Sequence, residues 1–310
     1  MVIDIDFNDP IFNKFKNGLE EISQEKLDEI GKILTERHNS LPVNDFEGYS
    51  PAQMQWLIYE PFGSGSPIKI NPNIADHTLD KIYILPPLEY LIFEIKNNSP
   101  FKLTQKGNIP PKYVKSIIDI YVGEDEFFIK SLKLVKESDS FIAELLHLFL
   151  ELSGIVKKRK NAWIITIKGQ FIISNRTILL KTMLEILGLK LNRAYFDAFG
   201  DNDVGQIGFA FIFALIAKYG NNWKNTDFYA EKYFLAFPLL QGKIELRWSS
   251  ASTDKENSNR CFKLRIFERF MLLFNLIEIN KDTNNFIERK AEVKKSEIFD
   301  KIFTTIWDQS

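Results

Sequence analysis

A mainly α-helical chain with small β-hairpins, an α+β arrangement, is what this sequence predicts, and three observations carry the expectation. Apolar residues recur at helical spacing through most of the chain. Extended runs are short and lie between turns rich in Gly, Asn and Pro. The stretch 141–169, FIAELLHLFLELSGIVKKRKNAWIITIKG, then sets an apolar helix, a glycine turn and two short strands joined by a basic tip in that order.

The elements can be justified in turn. Asp4, Asp6 and Asp9 alternate as in an exposed strand or a tail. Ser23 precedes a helix in which Leu27, Ile30, Ile33 and Leu34 share a face, ending near Arg37 before Asn39 and Pro42. Ser50-Pro51-Ala52-Gln53 is a capping box with proline at the first helical position, opening a short helix with Met54, Leu57 and Ile58. PFGSGSPIKINPN, at 61–73, is a turn-rich connector. Leu88, Leu91, Ile92 and Ile95 mark a helix stopped at Asn97-Asn98-Ser99-Pro100. A short strand enters the turn at 101–107, and a helix with Lys112, Tyr113 and Lys115 follows Pro110-Pro111. Residues 122–138 give no pattern. From 175 to about 241 the chain reads as helical, with 204–217 a buried helix capped by Asp203. Beyond the polar stretch 249–259 come an amphipathic helix at 261–274, strands at 276–279 and 286–293 around a turn at 280–285, and a last helix from Ser296.

With 310 residues, 45% apolar and 27 phenylalanines among them, the chain can build two or three units with aromatic cores. A net charge of −1 removes the bulk electrostatic argument for nucleic acid. The charge is nonetheless segregated: 14 acids against 6 bases in 1–80, 12 bases against 8 acids in 101–170, and 11 against 8 in 255–301. One cysteine, Cys261, excludes an internal disulfide and a thiolate metal cluster and predicts a reducing, cytoplasmic home. The start MVIDIDFNDP has no signal-peptide character, and the longest apolar run, 204–217, is short for a membrane span, so no membrane partner is expected.

No catalytic constellation appears, and a non-enzymatic protein without cofactor or metal is expected. Asp197, Asp201 and Asp203 before Gly205 have part of a calcium loop's spacing, but Ile212 stands where the bidentate Glu belongs. Gly63-Ser64-Gly65-Ser66 lacks the Gly-Lys-Ser/Thr of a phosphate loop, and no Gly-x-Ser-x-Gly elbow occurs. His38 and His77 lie far from His147, which reads as a satisfied boundary histidine on the apolar helix. Cys261 has no identifiable partner for a reactive role.

A DNA-reading helix needs Arg, Lys, Asn or Gln for base edges and cations for phosphates. The helix at 141–153 carries Glu144, His147 and Glu151 and no Lys or Arg, which is poor chemistry for a major groove. The candidate phosphate contacts are therefore Lys157, Lys158, Arg159 and Lys160 at the hairpin tip, with Lys112, Lys115, Lys263 and Arg265 as lesser ones. The plain alternative is a solvated turn.

The helix-then-hairpin order at 141–169, and again at 261–293, resembles the last helix and wing of a winged-helix domain. The expected organisation is an acidic helical module at 1–80, a winged-helix-like module at 81–173, a helical middle region at 174–254 and a second winged-helix-like module at 255–310. Leu103-Thr104-Gln105-Lys106-Gly107 and Ile165-Thr166-Ile167-Lys168-Gly169 share a strand ending, which raises an internal repeat. The chain also resembles bacterial proteins with a Ser-Pro-x-Gln-Met segment (Ser50 to Met54), a Leu-Thr-x-Lys-Gly-Asn stretch (Leu103 to Asn108) and an Arg-x-Phe-Glu-Arg-Phe helix (Arg265 to Phe270). That resemblance implies no activity and no metal site. The winged-helix resemblance implies a DNA-associated transcriptional regulator acting on double-stranded DNA. The alternatives are a protein-docking scaffold on the same units or an enzyme with an unrecognised site.

Overall fold

The computed structural model describes residues 24–123, 135–242, 244, 253–281 and 291–305. The expectations at Asp4, Asp6, Asp9 and Ser23, and those for 245–252 and 282–290, lie outside these residues. The chain is mainly α-helical with small antiparallel sheets of two or three strands. It divides into two compact units, 1–52 and 53–310.

In the first unit, helix α1 spans Gln24–Ser40, with Arg37 and His38 in its last turn, where cations oppose the helix dipole. A 3-10 turn at Asn44–Phe46 ends at Glu47, whose φ of 59° is left-handed. Helix α2, Pro51–Tyr59, begins at the proline of the capping box, runs mostly within the second unit and buries Met54 and Leu57 there.

The second unit builds one arrangement twice. After strand β1 (Ile68–Ile70), helix α3 covers Leu85–Asn97 and buries the predicted stripe of Leu88, Leu91, Ile92 and Ile95. Strand β2 (Phe101–Lys102) follows, then helix α4 (Pro111–Ile120), started by proline and buried through Tyr113, Val114, Ile117 and Ile118. Helix α5 spans Phe141–Ser153. Ser140 caps it by accepting from the Ala143 amide at 3.1 Å, and Gly154 ends it at φ 73°. Strands β3 (Val156–Arg159) and β4 (Ala162–Ile165) form the hairpin, and β2 joins them in the order β2-β4-β3. Lys160 and Asn161 make a two-residue turn with φ of 47° and 57°, the left-handed pair that tight hairpins require.

Helix α6 (Ile167–Ile173), capped by Thr166, leads into α7 (Arg176–Glu185), which widens to a π-turn at Ile186–Lys190. Arg176 ties α7 to α3 through Glu89 at 2.6 Å and to Asp80 at 2.8 Å.

The second pass then begins. Helix α8 (Phe209–Tyr219) is buried from Phe209 to Ile216; strand β5 is Lys224–Asn225, and helix α9 is Thr226–Ala236. Helix α10 (Asp254–Phe262), opened by a Thr253–Glu256 capping box, continues as a π-helical segment over Lys263–Met271. Strands β6 (Ile277–Lys281) and β7 (Ala291–Lys295) follow, and the sheet order is β5-β7-β6. Residues 85–165 and 209–295 thus share the order helix, strand, helix, helix, hairpin, with the first strand beside the last. Strand β8 (Phe303–Thr305) pairs antiparallel with β1.

Several expectations shift. Strand pairing runs across the divisions drawn at 80/81 and 254/255, since β1 meets β8 and β5 meets β7. The buried helix starts at Phe209, not 204, because Gly205 and Gly208 adopt φ of 77° and 68° and break the turn before it. Asp203 is not its cap: its carbonyl accepts from the amides of Gln206 and Ile207. The two apolar-Thr-x-Lys-Gly endings fall at the turn after β2 and at the start of α6, neither of them in the second pass, so they do not mark the repeated arrangement. The helix after Ser296 is a single turn, Phe299–Ile302.

Phe213 is the centre of the aromatic core, stacked on Phe270 at 6.0 Å and Phe62 at 6.2 Å and tilted on Phe303 at 5.0 Å. Gly169 is a second constraint. A Cβ there would meet the Ile155 carbonyl oxygen at 2.1 Å, so α6 can lie on the start of the hairpin only without a side chain. Inside a helix Gly→Ala ordinarily stabilises by about 0.5–1 kcal/mol. Gly169→Ala is expected to do the opposite, lowering stability by about 1–3 kcal/mol through overpacking. A urea denaturation midpoint above that of the parent would refute the close approach.

Candidate nucleic-acid interface

The first sheet carries the densest positive charge of the chain. Residues 101–110 and 154–170 hold seven Lys or Arg and no Asp or Glu. Register decides which of them share a face. Lys102 pairs with Ala162 and Ala162 with Arg159, while Lys157 stands opposite Ile164. Side chains alternate with period two, so Lys102, Arg159 and Lys157 lie on one face. Strands about 4.8 Å apart put the Lys102 and Arg159 backbones roughly 10 Å from each other. Phe101 and Trp163 occupy the other face, buried and stacked at 6.0 Å.

The tip is fastened to the sheet. The Asn161 side-chain amide donates to the Thr104 carbonyl at 2.5 Å, and the Leu103 amide to the Asn161 carbonyl at 3.0 Å. Lys158 reaches the Gly107 carbonyl at 3.3 Å. Lys157, Lys158, Arg159 and Lys160 are all exposed, as are Lys102 and Lys106. The structure therefore brings the four predicted tip residues together and adds Lys102 and Lys106. A two-residue strand leaves no periodic trace, so only its pairing with β4 reveals the membership of Lys102.

Helix α5, which precedes the hairpin, is turned inward. Ile142, Leu145, Leu146, Phe149 and Leu150 are buried, and its polar groups fasten the fold. His147 Nδ1 lies 2.9 Å from Glu137 and its Nε2 3.3 Å from Glu151, with the ring edge-on to Trp163 at 4.7 Å. Trp163 Nε1 donates to Glu151 at 2.9 Å. Glu144 is held above the usual carboxylate range by burial and by nearby Glu137. The helix offers neither cation nor amide to a base edge.

The lesser candidates scatter. Lys112 sits over the Tyr113 ring at 4.3 Å, and its ammonium is raised by the hydrogen bond to Tyr113. Lys115 pairs with Asp119 at 2.9 Å, and Lys263 lies 3.8 Å from Glu268. Arg265 must be withdrawn as a phosphate contact, because it is 2% exposed and locked in a buried ion pair. Its Nε donates to Asp197 at 2.6 Å and its Nη2 to the same carboxylate at 3.1 Å. Nη1 donates to the Asn202 carbonyl and side chain at 2.7 and 2.9 Å and to the Val204 carbonyl at 3.1 Å, while Nη2 also reaches the Gly200 carbonyl at 3.1 Å. Burial pulls this guanidinium down, but the Asp197 bonds outweigh it and hold the group above its ordinary value.

The same network engages the aspartate loop. Asp197 is committed to Arg265, and Asp201 accepts from Asn192 at 3.0 Å. Among the described residues no cluster of three metal-ligating side chains occurs, and no helix is long and apolar enough to cross a membrane. Cys261 is buried with its thiol 3.8 Å from the Asn202 side-chain oxygen, and burial pushes it up to about 12. No family model matches the chain, and none of the curated proteins or solved structures compared with it does.

Two outcomes follow from this geometry. Asp197→Ala leaves a buried guanidinium without its counter-ion and is expected to cost about 3–5 kcal/mol, read as a lowered denaturation midpoint. Cys261 has its folded pKa raised, so the native thiol stays protonated at pH 8. An aromatic disulfide reagent should label it only after unfolding; rapid labelling of the native protein would contradict the burial.

Proposed function

We propose that this chain is a non-enzymatic DNA-associated protein built from two winged-helix units, which grips the phosphate backbone of double-stranded DNA through the basic sheet and hairpin tip of the first. The observation that carries the reading is the face shared by Lys102, Lys157 and Arg159, continued by Lys160 at the tip, in a sheet without a carboxylate. Phosphate contacts need cations on an exposed, rigid frame, and the pinned two-residue turn supplies one. The repeated order at 85–165 and 209–295 supports the winged-helix reading of both halves. The buried, cation-free α5 argues that affinity comes from phosphate rather than from base edges read by that helix. The reading includes a cytoplasmic home, which suits the single reduced cysteine.

A second reading has its own observation. Ile167 and Phe171, one turn apart on α6, are 89% and 65% exposed, which favours a protein-docking surface beside the sheet.

Salt separates the two. Fluorescence anisotropy on mixed-sequence duplex DNA should show binding whose affinity falls steeply from low to physiological salt. Replacing Lys157, Arg159 and Lys160 by Gln should weaken it more than tenfold and flatten the log–log slope by about 2–3, near 0.9 per lost phosphate contact. Binding absent at low salt, or unchanged in the triple variant, rejects the DNA reading and turns the search to protein partners of α6.

A further inference from the structure

Three aromatic rings reach the surface where α8 gives way to β5 and α9. Tyr219 ends α8, Trp223 precedes β5, and Phe228 stands in the first turn of α9. Tyr219 and Phe228 meet edge-on at 5.2 Å and are half-buried, while Trp223 is 40% exposed.

Lysines crowd these rings. Lys232 Nζ stands 4.9 Å from the Tyr219 centroid and 5.0 Å from that of Phe228. Lys218 lies 5.2 Å from Tyr219, and Lys224 lies 5.2 Å from Phe228. Lys294, on the strand that pairs with β5, covers Trp223 at 5.1 Å and is itself held by Glu278 at 3.0 Å. Three ammonium groups thus share two rings, a concentration of like charge that raises the local potential and favours an anion. The acids of this stretch, Asp227 and Glu231, are turned away. Phe228 and Lys232, four residues apart, share one side of α9. Asp227 and Glu231 share another, where they meet Asn259 at 3.0 Å and Lys255 at 3.7 Å on α10.

Rings and cations together narrow the partner. A duplex keeps its bases stacked inside and would use the lysines alone. A strand with unpaired bases uses both, since a base stacks on a ring while the adjoining phosphate meets an ammonium. A lysine over an exposed ring is held weakly, so it can swing from ring to phosphate as a base takes its place. We propose that this surface binds single-stranded nucleic acid without sequence preference, with Trp223, Tyr219 and Phe228 as stacking platforms and Lys218, Lys224 and Lys232 as phosphate contacts. It shares no residue with the basic sheet, so it stands or falls apart from the duplex reading.

Fluorescence anisotropy of the full chain tests it, with labelled oligothymidylate of about 15 nucleotides, an abasic oligomer of the same length and duplex DNA as probes. The single strand is expected to bind, and the abasic oligomer to bind about fivefold or more weaker, the size of one lost stacking contact. Trp223→Leu should weaken the single strand by about fivefold or more and leave any duplex affinity unchanged, while Trp223→Phe, which keeps a ring, should retain most of the binding. Replacing Lys218, Lys224 and Lys232 by Gln should flatten the log–log salt slope by about 2, near 0.7 per lost contact to a single strand. The variant with Gln at Lys157, Arg159 and Lys160 should keep single-strand binding. Absence of single-strand binding to the parent protein overturns the proposal. So does equal binding of the abasic oligomer, or full retention in a folded Trp223→Leu variant. Loss of single-strand binding on replacing Lys157, Arg159 and Lys160 also overturns it, because the contact then lies on the basic sheet.

Discussion

The ion pair between Arg265 and Asp197 holds together the parts of the second unit that the helices alone leave loose. Its two side chains are each about 1% exposed, so the attraction acts in a low-dielectric interior where a missing partner is severe. Five donors of one guanidinium take up the carboxylate and the carbonyls at Gly200, Asn202 and Val204, fixing the whole 197–204 loop on the π-helical segment after α10. That placement sets the next turn. Gly205, at φ 77°, lies against the Arg265 and Ile266 side chains, where a Cβ would come within 3.2 Å, and its amide donates to the Tyr233 hydroxyl at 3.0 Å. Tyr233 in turn donates to the Ile207 carbonyl at 2.7 Å. The entry angle of α8, the most buried helix, is therefore decided by one arginine 56 or more residues further along the chain.

Around this polar clamp the aromatic core supplies the bulk of the apolar burial. Phe209 meets Phe213 and Phe270 edge-on at 5.8 and 5.5 Å, and Phe62 and Phe303 close the cluster from opposite ends of the unit. Ring pairs in offset or edge geometry add about 0.5–1.5 kcal/mol each beyond the area they bury. The β1–β8 pairing carries Phe303 into that cluster, which joins the first strand of the unit to its last.

Charge is partitioned between the repeated halves in a way that bears on function. The first sheet keeps its cations outward, and the carboxylates beside it are occupied: Glu137, in the turn before α5, by His147, and Glu151, on α5, by His147 and Trp163. The second hairpin mixes signs, with Lys294 paired to Glu278 at 3.0 Å. Among the described residues an identical order of elements thus presents two different charge patterns. The acidic, apolar α5 serves the interior.

The sequence by itself determined the helices and their ends. Apolar spacing marked α3 and α5, Pro51 and Pro111 opened α2 and α4, and Gly154 closed α5, because these signals act over one or two helical turns. The hairpin at 156–165 and its four cations were legible for the same local reason. Tertiary structure decided the rest. Lys102 entered the basic face through a two-residue strand whose partner lies 60 residues away, and β5 joined its hairpin in the same manner. Arg265 sits in a run, LRIFERF, that reads as an amphipathic helix with an exposed cation, and nothing nearby announces Asp197, 68 residues upstream. Pairing of buried charges depends on which side chains the packed core brings within about 3 Å, a relation between distant segments that periodicity and capping do not encode.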